Sequence, residues 1–242
     1  MLICHASRPA STVIVVGVDG CPAGWIAVRV DPAARAWRAA VHGSFAQLLE
    51  AYRDAAAIGV DIPIGLPEAG ARACDRAARA RLGPRRSSVF NPPTRRLLAS
   101  IGAAPYRDAN ALARRDLGHG IGAQAFNIFA KIREVDAAMT PRLQSRVREV
   151  HPELCFAAMR GQPCSHPKKS ASGAAERLAA LRASCQWLGG EPPRPPRGAG
   201  RDDLLDALAV AWTAARIAAG AAETLPAAPE RDPRGLRMEM LT

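Results

Sequence analysis

The run Val13-Ile-Val-Val-Gly-Val-Asp19 is apolar and rich in β-branched residues, and it ends in an acid. Such a run is typical of a buried central strand, because both faces of that strand must be apolar. Gly20-Cys-Pro-Ala-Gly24 has the composition of a turn, and Trp25-Ile-Ala-Val-Arg-Val30 reads as a second strand. A third strand follows at about residues 37–42 after the turn at Asp31-Pro32, so the sequence predicts an antiparallel meander.

Two further strands and a helix place the chain in the α/β class. Ser44 can cap a helix whose apolar side chains recur at helical spacing, at positions 45, 48, 49 and 52. Ile58-Gly-Val-Asp-Ile62 is a fourth strand that ends at Pro63, and residues 147–150 resemble a fifth. Strands interrupted by helices in this way predict an α/β domain.

The remaining sequence divides into an insertion and two tails. Residues 69–146 are mostly helical and basic, and we interpret them as a helical insertion in a single domain that covers residues 13–220. Residues 1–12 are interpreted as a flexible tail or an over-extended start. The Pro-rich residues 221–242 predict a loosely packed C-terminal tail. Further helices are predicted at residues 71–82, 94–101, 107–117, 121–139, 173–188 and 201–219.

Composition narrows the class of protein. With 242 residues, of which 48% are hydrophobic, the chain is long enough for one large core, which excludes the fibrous, disordered and disulfide-scaffold classes. No run approaches the roughly 20 apolar residues that a membrane span needs, and we identify no secretory signal. The six cysteines lack regular spacing, so we expect reduced thiols in a cytoplasmic protein.

The net charge of +11 favours a polyanionic partner, because a protein that neutralises phosphates gains affinity that does not depend on base sequence. We therefore expect nucleic acid, or another phosphate-bearing polyanion, as the partner. Only Lys131, Lys168 and Lys169 are lysines, however, so most of the positive charge is arginine. A general bias towards Arg and Ala codons would also produce this charge, and that alternative stays open.

Five acids lie at the ends of predicted strands or on the last predicted helix, positions that the fold can bring close together. Asp19 and Asp61 end the first and fourth strands, and Glu153 follows the fifth. Ligands of open α/β sheets gather at such strand ends. Asp203 and Asp206 are three residues apart and therefore share one face of the last helix, where the following alanine would permit close packing.

These acids offer only oxygen ligands, which suit Mg²⁺ or Mn²⁺ better than Zn²⁺. Converging carboxylates repel each other unless cations lie between them, and two metal ions would relieve that repulsion and stabilise the attacking and leaving oxygens of a phosphodiester. The set predicts metal-assisted phosphoryl transfer or hydrolysis, with all five acids as catalytic residues and metal ligands. The alternative for each acid alone is a helix cap, a turn or a surface ion pair.

Basic residues near the acids predict contacts with phosphate. The candidate substrate-binding residues are Arg85, Arg86, Ser87, Lys131, Lys168 and Lys169. The first three form a basic loop, for which a solvated surface loop is the alternative. The last two precede a helix, whose N-terminus favours an anion. The remaining lysine lies on a helix, where it could line a nucleic-acid groove or pair with neighbouring acids.

Several ordered motifs resemble those of a known family. Gly17-Val-Asp-Gly-Cys-Pro-Ala-Gly-Trp25 and Asp61-Ile-Pro-Ile-Gly-Leu-Pro67 are similar to motifs of a family of predicted nucleases with an RNase H-like fold, domain-of-unknown-function family 429. The similarity continues in Arg72-Ala-Cys-Asp75, Gln124-Ala-Phe-Asn-Ile128, Lys131-Ile-Arg-Glu-Val-Asp136, Val150-His-Pro-Glu153 and Arg201-Asp-Asp-Leu-Leu-Asp-Ala207. It spans roughly residues 13–240.

The resemblance implies a five-stranded mixed sheet whose first three strands are antiparallel, with a C-terminal helix that carries acids. By similarity to Holliday-junction resolvases and other RNase H-like enzymes, Asp19 would bridge two metal ions and Asp61 would be the acid of the fourth strand. Asp203 and Asp206 match the D-x-x-D-A pattern of the last helix, whereas Glu153 has no equally clear counterpart. The implied activity is metal-dependent hydrolysis of phosphodiesters, and a homodimer stays open because resolvase-like relatives act as dimers.

Two other functions stay open. Sugar kinases and actin-like ATPases share this fold and begin with a strand, an Asp and Gly-rich turns, but they need a second equivalent lobe and a further phosphate-binding loop. A non-catalytic nucleic-acid-binding or protein-binding module would keep the fold and the charge without binding metal at the acids. ATP hydrolysis would support the first alternative, and the absence of metal binding would support the second.

Overall fold

A mixed sheet of five strands forms the centre of the structure, a computed structural model that describes residues 13–102, 104–118, 120–192 and 194–242. The strands are β1 (Val15–Cys21), β2 (Gly24–Asp31), β3 (Ala36–His42), β4 (Ala57–Val60) and β5 (Val147–Glu149), in the order β3-β2-β1-β4-β5. The first three pair antiparallel, and β4 and β5 run parallel to β1. The predicted α/β fold with a five-stranded mixed sheet is therefore confirmed. The tail predicted at residues 1–12 lies outside the described residues.

Helices cover both faces of the sheet, and most of them lie in the insertion between β4 and β5. The helices before β5 are α1 (Phe45–Ala51), α2 (Ala73–Leu82), α3 (Arg95–Ile101), α4 (Tyr106–Leu117), α5 (Ala123–Asn127) and α6 (Phe129–Ala138), with short 3-10 helices at Gly83–Ser88 and Leu143–Ser145. After β5 come α7 (Pro152–Arg160), α8 (Ala171–Ser184) and α9 (Arg201–Ala218). Helix α7 is absent from the helices predicted above. It begins at Pro152, and proline is a residue that the first helical position accepts.

The two faces of β1 and β4 pack against different helices. Side chains alternate along a strand, so Val16 and Val18 join the core on the side of α1 and α6, whereas Val15 joins the core beneath α9. The same alternation, continued from positions 15 and 57, places Asp19 and Asp61 on the α9 face. The two strand-end acids therefore point to the same side of the sheet.

Two glycines allow α9 to lie directly on that face. Gly17 of β1 and Gly59 of β4 are partners in the parallel pairing of the two strands. A Cβ on Gly17 would stand 2.1 Å from the backbone nitrogen of Ala211, and a Cβ on Gly59 would stand 2.8 Å from Cγ1 of Val210. Because no side chain fits between them, α9 crosses the strands in close contact and carries Asp206 to the strand ends.

The C-terminal segment is not the loosely packed tail that its prolines predict. Its strands β6 (Thr224–Leu225) and β7 (Met240–Leu241) pair antiparallel, and Leu241 also bridges Val150 beside β5. Leu236 and both residues of β7 are buried. The expectation of loose packing is wrong, because the apolar residues between the prolines bury this segment against the sheet edge.

Membrane spans and thiols can be compared with the sequence predictions in the part of the chain that the structure describes. In that part, no helix is both long enough and apolar enough to cross a membrane. The five cysteines found there, at positions 21, 74, 155, 164 and 185, are buried and free, as reduced thiols are. Cys4 lies outside the described residues.

Candidate active site

Three carboxylates from three different elements meet at one edge of the sheet. Asp19 lies near the end of β1. Asp61 directly follows β4, where its backbone N–H donates to the carbonyl oxygen of Val18 at 3.0 Å. Asp206 projects from the second turn of α9, which the two glycines hold against both strands. Asp19 and Asp206 are buried and Asp61 is half-buried, so the three charges share a poorly solvated space.

Burial and mutual repulsion make these carboxylates hard to ionise. Burial, followed by the charges of Asp61 and Asp206, raises the pKa of Asp19 well above its usual value of 3.8. Burial also raises the pKa of Asp61 to about 7 and the pKa of Asp206 to about 6, although the Lys168 charge opposes both shifts. A cation close to carboxylates favours their ionised form. A cation that enters this cluster would therefore be attracted by all three aspartates.

Lys168 supplies one such charge from the loop between α7 and α8. Its Nζ donates to Oδ2 of Asp206 at 2.7 Å, and its side chain is 40% exposed. Partial burial lowers the pKa of Lys168, but the carboxylates of Asp206, Asp19 and Asp61 outweigh that effect and raise the pKa above its usual value. The ammonium group is therefore fully charged and interacts with all three aspartates.

Glu153 approaches the same space from the first turn of α7. Its Oε1 accepts hydrogen bonds from the buried Arg177 of α8 and, at 3.3 Å, from Arg85. Its Oε2 is buried and has no hydrogen-bond partner among the residues that the structure describes. Since a buried carboxylate oxygen is rarely left without a partner, Oε2 is free to accept a ligand.

A cavity of about 360 Å³ connects these groups. Asp19, Asp61, Glu153 and Asp206 all line it, so four of the five acids that the sequence singles out meet in one place. Lys168 lines the cavity as well. The arrangement provides a space of ligand size with acids from two strands and two helices.

His151 also lines this cavity, and its side chain caps the N-terminus of α7. Its Nδ1 accepts from the backbone N–H of Glu153 at 3.2 Å, and its Nε2 lies 3.3 Å from the carbonyl oxygen of Ser88. These two partners define a neutral ring that carries its proton on Nε2, and burial lowers the pKa of His151 in agreement. The ring joins the start of α7 to the 3-10 helix at Gly83–Ser88.

Asp203 does not line the cavity. Its Oδ2 accepts from the backbone N–H of Gly200 at 2.8 Å and so caps the N-terminus of α9, where the helix dipole favours an acid. Its charge still contributes to raising the pKa of Asp19. Asp203 is therefore a helix cap, one of the alternatives to a metal ligand that the sequence left open for each acid.

The candidate substrate-binding residues separate into two groups. Arg85, Lys131 and Lys168 line the carboxylate cavity, whereas Arg86 and Ser87 do not. Lys169 lines a neighbouring open groove of about 440 Å³, which Lys168 also borders. Three of the six residues therefore lie where a phosphate next to the carboxylates would contact them.

One family comparison covers most of the chain. The family model described as "Protein of unknown function (DUF429)" matches residues 17–231. The chain belongs to the DUF429 family. The matched range contains all four carboxylates that line the cavity, and the family membership expected from the sequence motifs is confirmed. No curated protein and no solved structure matches the chain.

The four carboxylates that line the cavity of this DUF429 chain are all oxygen donors, the ligand type that Mg²⁺ and Mn²⁺ prefer. Within the described part of the chain, Oε2 of Glu153 lacks a hydrogen-bond partner. In the described ranges, no three acidic, His or Cys side chains are already arranged to hold a metal ion. Because Lys168 pairs with Asp206, a divalent ion at this carboxylate requires the lysine to move away.

A second buried cluster of charges supports the loop that carries Asp61. The fully buried Arg72 donates to both carboxylate oxygens of Asp75 and to both of Glu149, at 2.7–3.1 Å. It also donates to the carbonyl oxygen of Ile64 at 3.3 Å, and Glu149 accepts from the backbone N–H of Ile64 at 2.7 Å. These DUF429 residues join α2, β5 and the segment after Asp61. The local pattern in the sequence is the Arg-x-x-Asp spacing, in which Arg72 precedes the first turn of α2 and Asp75 lies within that turn.

Proposed function

We propose that this DUF429 chain is a metal-dependent nuclease that hydrolyses phosphodiester bonds with Mg²⁺ or Mn²⁺ as cofactor, two ions being expected. The observation that supports this proposal best is the convergence of carboxylates from β1, from the end of β4 and from α9 on one cavity that cationic side chains also line. Buried acids that raise each other's pKa destabilise the folded protein, and such groups cluster at functional sites. A nucleic-acid partner agrees with the net charge of +11.

Asp19, Asp61 and Asp206 are the residues that would hold the ions, with Oε2 of Glu153 available as a further oxygen. When bound, divalent ions supply Lewis acidity and lower the pKa of coordinated water. The chain's own part is to hold the diester. Arg85 and Lys131 offer positive charge to the non-bridging phosphate oxygens, and the buried setting strengthens those contacts.

The reaction adds one water to one phosphodiester. The water oxygen bonds to phosphorus, and the bond from phosphorus to one ester oxygen breaks, with its electron pair remaining on that oxygen. The leaving oxygen ends as a hydroxyl group with one proton of the water, and the other proton is released from the new phosphate monoester. Arg85 and Lys131, which line the cavity, stabilise the negative charge that builds up on the phosphate oxygens during this step.

Cleavage of a labelled substrate panel tests the proposal. The panel contains single-stranded, duplex, RNA–DNA hybrid and four-way-junction substrates, incubated with Mn²⁺, Mg²⁺ or EDTA. We expect hydrolysis of at least one substrate with Mn²⁺ or Mg²⁺ and none with EDTA. Absence of hydrolysis on the whole panel with either metal ion would contradict the proposed function.

Replacement of Lys168 tests its competition with the metal ions. We expect Lys168→Met to tighten Mn²⁺ binding about tenfold, because it removes a positive charge that lies 2.7 Å from a carboxylate oxygen. The measurement is the rise in melting temperature across a Mn²⁺ titration. Lys169→Met is the matched control, since that neighbour is exposed and outside the cavity. Equal or weaker Mn²⁺ binding in Lys168→Met would show that the lysine does not compete with the ion.

Substitution of Asp203 separates a cap from a ligand. We expect Asp203→Ala to lower the free energy of unfolding by about 1 kcal/mol, which is typical for a lost N-terminal helix contact, and to leave phosphodiester hydrolysis close to the wild-type rate. Asp203→Asn retains an acceptor for Gly200 and should recover most of the stability. Thermal unfolding measures the stability of both variants, and a cleavage assay measures their rate of phosphodiester hydrolysis. Loss of cleavage in the stable Asp203→Asn variant would assign this residue to the metal site instead.

A cytoplasmic location belongs to the same proposal. Its support is the set of free buried thiols in the described ranges, since reducing compartments preserve thiols.

A further inference from the structure

The carboxylate cavity has an apolar part that metal-dependent hydrolysis alone does not require. Besides its charged groups, the side chains of Ile62, Phe90, Ile128 and Pro152 line it. Its volume of about 360 Å³ falls in the range of small-molecule sites, roughly 300–1,000 Å³. A protein touches a duplex mainly at phosphates, sugars and groove edges, so a duplex leaves this apolar lining without an obvious partner.

Phe90 is held in place by contacts on both sides of it. Arg79 of α2 donates through Nε and Nη2 to the carbonyl oxygen of Val89, at 3.0 and 2.8 Å. The same Nη2 lies 2.7 Å from Oδ1 of Asn91. The chain on both sides of Phe90 is therefore fixed, and this half-buried residue lines the cavity. A fixed aromatic ring offers a surface on which one base can stack.

Lys131 fixes a positive charge beside the carboxylates. Its Nζ lies 4.6 Å from the centre of the Trp25 ring and donates to the carbonyl oxygen of Gly24. Its Cδ and Cε would stand 3.0 and 3.1 Å from a Cβ on Gly20, the residue that follows Asp19. The lysine therefore crosses the turn next to the first carboxylate, where it can contact a phosphate at that position.

We propose that the unit which enters this cavity is one unpaired nucleotide of a single strand. Its base packs on Phe90, and its phosphate lies among the carboxylates with Lys131 and Arg85 at its oxygens. This inference rests on the proposed nuclease function and names its substrate class. Base-paired nucleotides would have to leave the stack before they could reach the carboxylates, at the expense of their stacking and pairing.

Two small phosphodiesters test the role of the base directly. Thymidine 5′-(p-nitrophenyl phosphate) carries a nucleoside, whereas methyl p-nitrophenyl phosphate does not. We expect the ratio of their kcat/KM values in Mn²⁺ to fall about tenfold in Phe90→Ala, the size of a weak base-stacking contact. Phe126→Ala is the matched control, because that ring pairs with Tyr106 and Phe129 within the insertion and lies outside the cavity. Phe90→Trp keeps an aromatic surface and should retain the preference.

A labelled oligonucleotide tests the requirement for an unpaired strand. We expect the single strand to be cut at least about tenfold faster than the same strand in a blunt duplex. Equal rates on the two forms, or a Phe90→Ala variant that slows both small esters equally, would overturn the inference while the nuclease function stands. Absence of hydrolysis of every probe in Mn²⁺ would overturn both.

Discussion

Replacing Asp19 with Asn is expected to reduce metal-dependent phosphodiester hydrolysis by about a thousandfold, at the upper end of the effect of removing one preorganised electrostatic contact from an active site. Asp19 is central to the cluster, because burial raises its pKa most and the charges of Asp61 and Asp206 both raise it further. An amide keeps the shape of the side chain but loses the negative charge that would hold a divalent ion under the proposed function. The measurement is the cleavage rate at saturating Mn²⁺.

The same substitution should stabilise the protein when no metal is present. Burial and two neighbouring carboxylates disfavour the ionised form of Asp19, and an amide carries no such penalty. We therefore expect the melting temperature in EDTA to rise by about 2–8 °C, equivalent to about 1–2 kcal/mol for a chain of this size. Asp54→Asn is the matched control, because Asp54 is 58% exposed and pairs with Arg29 at the surface. An Asp19→Asn variant that melts lower in EDTA and still cleaves would assign Asp19 a structural role.

Arg72→Met is expected to give the largest loss of stability. The substitution leaves the carboxylates of Asp75 and Glu149 buried without their partner. Removal of one member of a buried ion pair lowers the free energy of unfolding by about 3–5 kcal/mol, which corresponds to a fall in melting temperature of about 6–20 °C. Circular dichroism during heating measures the change.

Arg76→Met provides the control four residues further along the chain, since Arg76 is exposed and its side chain donates to the carbonyl oxygen of Ala71. The control should melt within about 2 °C of the wild type, as surface substitutions do. If Arg72→Met also melts there, the cluster does not contribute to stability and cannot support the loop after Asp61.

The sheet and its two strand-end acids could be predicted because they depend on local pattern. The β-branched run before Asp19 identifies the central strand, and two-residue alternation carries both acids to one face. Gly17 and Gly59 explain why α9 lies on that face, but their role depends on the pairing of strands that are far apart in sequence. The spacing of residues along the sequence therefore predicts α9 and its acids, but it does not predict that Gly17 and Gly59 let this helix lie on the strands.

The parts of the site that sequence reasoning missed depend on long-range contacts. Asp203 and Asp206 share a helix face, yet only the turn before α9 shows that Asp203 caps the helix while Asp206 reaches the cavity. Arg72 and Glu149 are 77 residues apart, so no local pattern connects them. The apolar residues of the C-terminal segment likewise pack only because β5 leaves an edge for them to cover.

The central claim is that the buried carboxylates form a site for divalent cations, and calorimetric titration with Mn²⁺ tests it most directly. We expect the wild-type protein to bind Mn²⁺ and Asp19→Asn to bind it at least about tenfold more weakly, as loss of a ligand or its support does at metal sites. Absence of binding by the wild-type protein, or equal binding by both proteins, would contradict the claim.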